Sequence, residues 1–90
     1  MPKHLNIKIF GQVQGVFFRD SAKRMADDLD IKGFVKNDSD GAVYIEAEGE
    51  ESDLNEFLAW CRQGTDLARV EKIDVVDKEL KNFNDFSIKL

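Results

Sequence analysis

The spacing of the apolar residues switches between two values along the chain, and this switching limits the folds that the chain can adopt. Near the start, Leu5, Ile7 and Ile9 alternate with polar residues, which predicts a half-buried strand that ends at Gly11. Beyond it, apolar residues recur at intervals of three and four, which predicts one face of a helix (Phe18, Ala22, Met25, Ala26 and Leu29). A strand pattern followed by a helix pattern indicates a fold of mixed α and β type.

A hairpin and a second helix are predicted next. Strands are predicted at residues 33–38 and 42–48, and the turn-forming Ser-Asp-Gly at residues 39–41 joins them. Ser52 is predicted to cap the N-terminus of a helix that ends at Gly64. One face of that helix is apolar and carries Leu54, Phe57, Leu58 and Cys61.

Two strand patterns complete the chain, at residues 70–76 and 86–90. The order is therefore strand, helix, strand, strand, helix, strand, with a short strand at the end. This order predicts an α+β fold of the ferredoxin-like split βαββαβ type. In such a fold two helices cover one face of a mostly antiparallel sheet.

The composition is that of a globular protein, and we expect residues 1–90 to form a single domain. The chain is 42% hydrophobic and 34% charged, and it contains one proline. No apolar run near the start is long enough for a signal peptide or a membrane span, so we expect a cytoplasmic protein with no membrane partner. Cys61 has no second cysteine to pair with and is predicted to be a buried hydrophobe. No long apolar patch is evident, and we expect a monomer.

The net charge of −5 argues against a nucleic-acid partner. Affinity for a phosphate backbone comes mostly from clustered lysine and arginine, and the 13 basic residues here are scattered. A small anion remains a reasonable ligand, because one positive pocket can hold a phosphate on an acidic protein.

The stretch GQVQGVFFR, residues 11–19, is the best candidate for such a pocket. Gly11 and Gly15 allow backbone angles that expose consecutive amide N–H groups, and the loop leads into a helix N-terminus, which favours negative charge. Arg19 has the wrong charge for that terminus, but its guanidinium could bind two oxygens of a phosphate. A glycine turn followed by a solvent-facing arginine explains the composition of the loop equally well.

Two motifs carry a family resemblance. GQVQGVFFR resembles the first signature of the acylphosphatase family, and GFVKNDSDGAVYIEAEG, residues 33–49, resembles the second. They occur in the family's order, and the similarity extends over essentially all 90 residues.

The resemblance implies hydrolysis of the carboxyl-phosphate bond of acyl phosphates, without a metal or cofactor, to a carboxylate and inorganic phosphate. Phosphate would be both product and inhibitor. Arg19 would bind the phosphoryl group together with the backbone amides of residues 14–19, and Asn37 would orient the attacking water. Those amides belong to Gln14, Gly15, Val16, Phe17, Phe18 and Arg19.

The rest of the chain is compatible with that chemistry. An acyl phosphate has a carboxylate leaving group with a pKa of about 4, which departs without a general acid or a metal. The single histidine, His4, is predicted to be an ordinary surface residue. Asp20 follows Arg19 where the family often has an aromatic residue, which brings a negative charge close to the anion site. Asp30 stands where many members have a glycine that ends the first helix.

Two other functions stay open at this point. The first is a non-catalytic module of the same fold that binds an acyl phosphate or carbamoyl phosphate without aligning water. The second is an RNA-recognition module, because residues 32–35, Lys-Gly-Phe-Val, superficially resemble a central-strand motif of that class. The stacking aromatic residues of the neighbouring strand are missing, and the acidic charge balance is unfavourable.

Overall fold

The computed structural model describes residues 1–90 and contains five strands and two helices. Their order along the chain is the predicted one. The elements are β1 (Pro2–Gln12), α1 (Phe18–Asp28), β2 (Lys32–Asn37), β3 (Val43–Glu50), α2 (Glu51–Gln63), β4 (Arg69–Lys78) and β5 (Phe86–Ile88).

The strands form one sheet in the order β4-β1-β3-β2-β5. Every neighbouring pair is antiparallel except β2 and β5, which are parallel. Both helices pack on the same face of this sheet, so the predicted α+β, ferredoxin-like arrangement is confirmed. Because β1 and β3 are antiparallel neighbours, the loop that leaves β1 and the hairpin that joins β2 to β3 lie at the same end of the sheet.

The predicted apolar faces form the core. Ile7 and Ile9 of β1 are fully buried, and so are Ala22 and Ala26 of α1. The predicted face of α2 is buried too, including Cys61, whose thiol pKa is raised well above its ordinary value by burial. Cys61 is therefore a core residue, as predicted, and not a reactive thiol.

Three predicted details of the backbone are wrong. Gly11 does not end β1, which continues to Gln12 through a bulge between Phe10 and Gly11. A side chain at Gly11 would overlap the carbonyl oxygen of Arg69 on β4, so glycine is required there for strand packing. Ser52 does not cap α2, because β3 runs directly into that helix at Glu51. The last strand, predicted at residues 86–90, ends at Ile88.

The prediction for His4 is also wrong, because this residue is only 1% exposed. It lies on the sheet face opposite the helices, where strand alternation predicts exposure. The chain between β4 and β5 has to pass from one edge of the sheet to the other, and it crosses this face. Phe83 in that crossing stacks on the His4 ring, with 5.8 Å between the ring centroids.

Two carboxylates complete this buried group. Glu48 accepts hydrogen bonds from His4 at 2.7 Å and from the backbone N–H groups of Lys81, Asn82 and Phe83. Glu46 lies 3.1 Å from His4 and accepts hydrogen bonds from Tyr44 and Lys81. Burial alone would raise the pKa of each carboxyl, but these hydrogen bonds outweigh it and hold both pKa values below the ordinary value.

Candidate active site

The loop between β1 and α1 carries unused hydrogen-bond donors. The backbone N–H groups of Gln14, Gly15, Val16 and Phe17 donate no hydrogen bond within the protein. No side chain caps the N-terminus of α1 either. Unpaired amides next to a helix N-terminus form a binding site for an anion.

The backbone of this loop adopts left-handed angles at Gly15 (φ 76°) and Phe17 (φ 64°). Glycine adopts this conformation without strain, whereas an aromatic residue does so at a cost of about 1–3 kcal/mol. A side chain at Gly15 would meet no atom within 4 Å, so the protein leaves open space there. The need for glycine at this position therefore comes from its backbone angle and not from crowding within the protein.

Arg19 lies in the first turn of α1 and is half-buried. Its guanidinium forms no ion pair, and its one hydrogen bond within the protein is a long one of 3.5 Å to the carbonyl oxygen of Lys89. The positive charge is thus not neutralised by a carboxylate. A guanidinium in this state is available to an anionic ligand.

Asn37 lies at the end of β2, next to the same loop. Its side-chain oxygen, Oδ1, is the one buried side-chain polar atom in the protein without a hydrogen-bond partner. Buried polar atoms are nearly always paired with protein groups or with ordered water. The amide of Asn37 therefore offers an unused acceptor to a ligand or a water molecule.

These groups line a common cleft of about 190 Å³. Of the residues predicted for the site, Gly15, Phe17, Phe18, Arg19 and Asn37 line it. The other two, Gln14 and Val16, belong to the loop but do not line the cleft. Val13 and Asp20 complete its lining.

A larger depression of about 820 Å³ lies elsewhere, lined by Asn6 and residues 77–81. Its lining residues include both acidic and basic side chains, and none of them has an unpaired buried polar atom. The smaller cleft is therefore the better candidate for specific binding.

The side chain of Gln14 has a role that sequence reasoning missed. Its Nε2 donates hydrogen bonds to the carbonyl oxygens of Asp38 at 2.7 Å and Ala42 at 2.9 Å. Both acceptors belong to the β2–β3 hairpin that carries Asn37. These bonds join residues 24 and 28 positions apart, and no local sequence pattern could have indicated them.

Further contacts hold the loop and the hairpin in place. Thr65, in the turn after α2, donates a 2.7 Å hydrogen bond to the carbonyl oxygen of Val16. Lys8 of β1 forms ion pairs with Asp40 at 2.8 Å and Asp38 at 3.4 Å. The hydrogen bond with Asp40 is the main reason why the pKa of Lys8 is raised and that of Asp40 is lowered.

The comparison with known protein families decides the assignment. The acylphosphatase family profile matches residues 5–88, nearly the whole chain. The chain belongs to the acylphosphatase family. Membership of this family supports hydrolysis of acyl phosphates in general.

Several individual acylphosphatases are similar to this chain over nearly their whole length. The chain is 46% identical over 87 residues to the acylphosphatase of Ligilactobacillus salivarius, covering 96% of this chain and 97% of the relative. It is 45% identical over 84 residues to that of Archaeoglobus fulgidus, covering 93% and 94%. The crystal structure of acylphosphatase from Bacillus subtilis superposes with a TM-score of 0.95 at 36% identity, covering 100% of both chains.

The chain lacks the features of three other kinds of site. No group of three or more histidine, cysteine or carboxylate side chains is arranged to hold a metal ion. Neither helix combines the length and the apolar character needed to cross a membrane. Phe34, in the motif that resembles an RNA-recognition strand, is 8% exposed and packs against Tyr44 and Phe83. Its ring is therefore covered, whereas base stacking requires an open face.

Proposed function

We propose that residues 1–90 form one acylphosphatase-like domain that hydrolyses the carboxyl-phosphate bond of acyl phosphates by direct attack of water on phosphorus. The observation that carries the proposal is the shared cleft of Arg19 and Asn37 beside unpaired loop amides. A phosphoryl transfer of this kind needs positive charge and N–H donors that bind the phosphoryl oxygens. It also needs a water molecule that is held in position to attack phosphorus. Arg19 and the loop amides can bind the oxygens, and the free Oδ1 of Asn37 can hold a water molecule.

In this mechanism Arg19 and the backbone amides of residues 14–19 bind the phosphoryl oxygens. Arg19 provides a positive charge without a carboxylate partner, and the loop provides N–H groups without acceptors. The loop amides belong to a backbone that Thr65 anchors at Val16, so they can stabilise negative charge on the equatorial oxygens with little reorganisation. Inorganic phosphate presents the same oxygens and is expected to be both product and competitive inhibitor.

Asn37 orients the attacking water in the proposed mechanism. The unpartnered Oδ1 supports this role, because a carbonyl oxygen can accept a hydrogen bond from water. The amide is neutral, so it does not repel a phosphoryl group that carries negative charge. An aspartate at this position would add such repulsion.

No general acid is needed for the leaving group. Protonation is not required for a carboxylate with a solution pKa of about 4 to depart from phosphorus. The proposed reaction accordingly calls for no metal and no cofactor.

We also propose that the protein acts in the cytoplasm as a monomer with a small-molecule substrate and without a nucleic-acid or membrane partner. The net charge of −5 and the covered ring of Phe34 support the absence of an RNA partner. The buried Cys61 supports a compartment in which disulfides are not needed.

The decisive test is the initial rate of benzoyl phosphate hydrolysis, followed by ultraviolet absorbance with excess chelator. We expect turnover by the wild-type protein and a loss of roughly a hundredfold or more in Arg19→Ala. Arg24→Ala, at an exposed position on the same helix, is the matched control and should keep its activity. Circular dichroism would establish that each variant is folded. A folded wild-type protein that binds phosphate but hydrolyses nothing would instead be a non-catalytic binding module.

A further inference from the structure

Phe17 is the most unusual side chain of the cleft. It is 68% exposed, although it directly precedes Phe18, which is 2% exposed and belongs to the core. Its backbone is left-handed (φ 64°), a conformation that disfavours bulky residues. An exposed aromatic residue in a strained conformation contributes little to folding, so its presence calls for another explanation.

Packing within the protein does not provide that explanation. Each of the other six phenylalanines has an aromatic ring or a lysine ammonium group beside its ring. Phe17 has neither. Of the residues that line the cleft, it is the one with a large apolar side chain that is also exposed, since Val13 and Phe18 are buried.

The reaction itself needs a place for a second group. The attacking and leaving oxygens of a phosphoryl transfer lie roughly in line, on opposite sides of phosphorus. When the phosphoryl group is held by Arg19 and the loop amides, the acyl group must project out of the cleft, past its exposed lining. That exposed lining includes the ring of Phe17 and the carboxylate of Asp20.

We propose that Phe17 determines specificity by contacting the acyl group, so that the cleft favours acyl phosphates with an uncharged aromatic or aliphatic acyl group. A small acyl group would reach too little of the ring, and an anionic one would be repelled by Asp20. This inference rests on the proposed hydrolytic function and adds the chemical class of the substrate to it.

The test compares kcat/KM for benzoyl phosphate with kcat/KM for acetyl phosphate. The ratio of the two values is the readout, because a general disturbance of the loop lowers both and leaves the ratio unchanged. In Phe17→Ala the ratio should fall by roughly three- to tenfold, the contribution of one aromatic contact. Phe17→Tyr keeps the ring and should restore the ratio. Val76→Ala is the control, because Val76 is 50% exposed and lies on β4 opposite Asn6, away from the cleft.

The outcomes separate this inference from the function on which it rests. An unchanged ratio in Phe17→Ala, with both substrates still hydrolysed by the wild-type protein, overturns the role of Phe17 alone. A ratio that falls equally in Phe17→Ala and Phe17→Tyr also overturns it. No turnover of either substrate by the folded wild-type protein overturns the hydrolytic function and this inference together.

Discussion

The side-chain amide of Gln14 donates a 2.7 Å hydrogen bond to the carbonyl oxygen of Asp38, the residue that follows Asn37. A second bond from the same nitrogen reaches Ala42 at 2.9 Å. The proposed phosphate-binding loop and the hairpin that carries the proposed water-orienting residue are therefore joined by two hydrogen bonds. Together with the pairing of β1 and β2 to β3, this link holds the two proposed parts of the site beside each other.

Gln14→Met should break the link while keeping the length of the side chain. We expect kcat to fall about tenfold or more, because small displacements of a positioned nucleophile have large effects on rate. Inhibition by phosphate should change little, since the loop amides remain. Gln12→Met, at an exposed position just before the loop, is the matched control. A kcat equal to that of the control would show that the two hydrogen bonds do not position Asn37.

Asn37→Ala should lower the activity of the protein without lowering its stability. Turnover should be almost abolished, while the inhibition constant of phosphate stays close to that of the wild-type protein. The free energy of unfolding should stay equal or rise by up to about 1 kcal/mol, because an unpaired buried oxygen is removed. Kinetics and urea denaturation would measure the two effects, with Asn55→Ala on the exposed side of α2 as a control. Normal turnover in the folded variant would rule out the assigned role of Asn37.

Gly15→Ala should lose stability and phosphate affinity together. The left-handed backbone at residue 15 costs an alanine about 1–2 kcal/mol, and relief of that strain would reorient the loop amides. Gly41→Ala is the matched control, because Gly41 is also left-handed, has equally open surroundings and does not line the cleft. Urea denaturation should show a similar loss in both variants. The phosphate inhibition constant should rise in Gly15→Ala alone, and an unchanged constant there would identify the loop as a simple turn.

The protein should become less stable in acid through Glu46 and Glu48. Their pKa values in the folded protein lie below the value of 4.5 expected for an unfolded glutamate. Each carboxylate therefore stabilises the fold above about pH 4.5, and this contribution is lost as the pH falls through the lower pKa of the folded state. Urea denaturation from pH 7 to pH 3 should show the free energy of unfolding decreasing in the acid range.

Glu48→Gln tests the origin of this dependence. The glutamine cannot ionise, so the decrease below pH 4.5 should be smaller in this variant, whereas Glu56→Gln at an exposed position should leave it unchanged. Glu48→Ala should lower the free energy of unfolding at pH 7 by roughly 2–4 kcal/mol, because the buried donors around it lose their acceptor. An identical pH profile in wild type and Glu48→Gln would exclude Glu48 as its source.

The order of elements and the core were predictable because they follow from local periodicity. Ile7 and Ala22 are buried because each lies on the apolar face that the spacing of its strand or helix indicates. Asp30 has a positive φ, at a position where the family often has glycine. The burial of His4 was not predictable, because alternation identifies the polar face of β1 but not the later segment that covers it. That segment crosses the sheet only because β4 and β5 lie at its two edges, which is a long-range property.

The candidate site was predictable only in part. Arg19 and Asn37 were identified by residue type and by family resemblance, and the structure brings both to one cleft. The link from Gln14 depends on how two separate segments meet, and one sequence carries no signal for it. The exposure of Phe17 was not predictable from the sequence either, because an aromatic residue beside an apolar run is ordinarily expected in the core.

The contact between Arg19 and the carbonyl oxygen of Lys89 has a practical consequence for anyone who prepares this protein. An affinity tag fused after Leu90 would begin next to the cleft and could obstruct it. The other terminus is safer, because Pro2 pairs with Glu50 while the cleft lies beyond Gln12, at the opposite end of the same strand. Purification handles, surface immobilisation and fluorescent labels should therefore be attached before Met1.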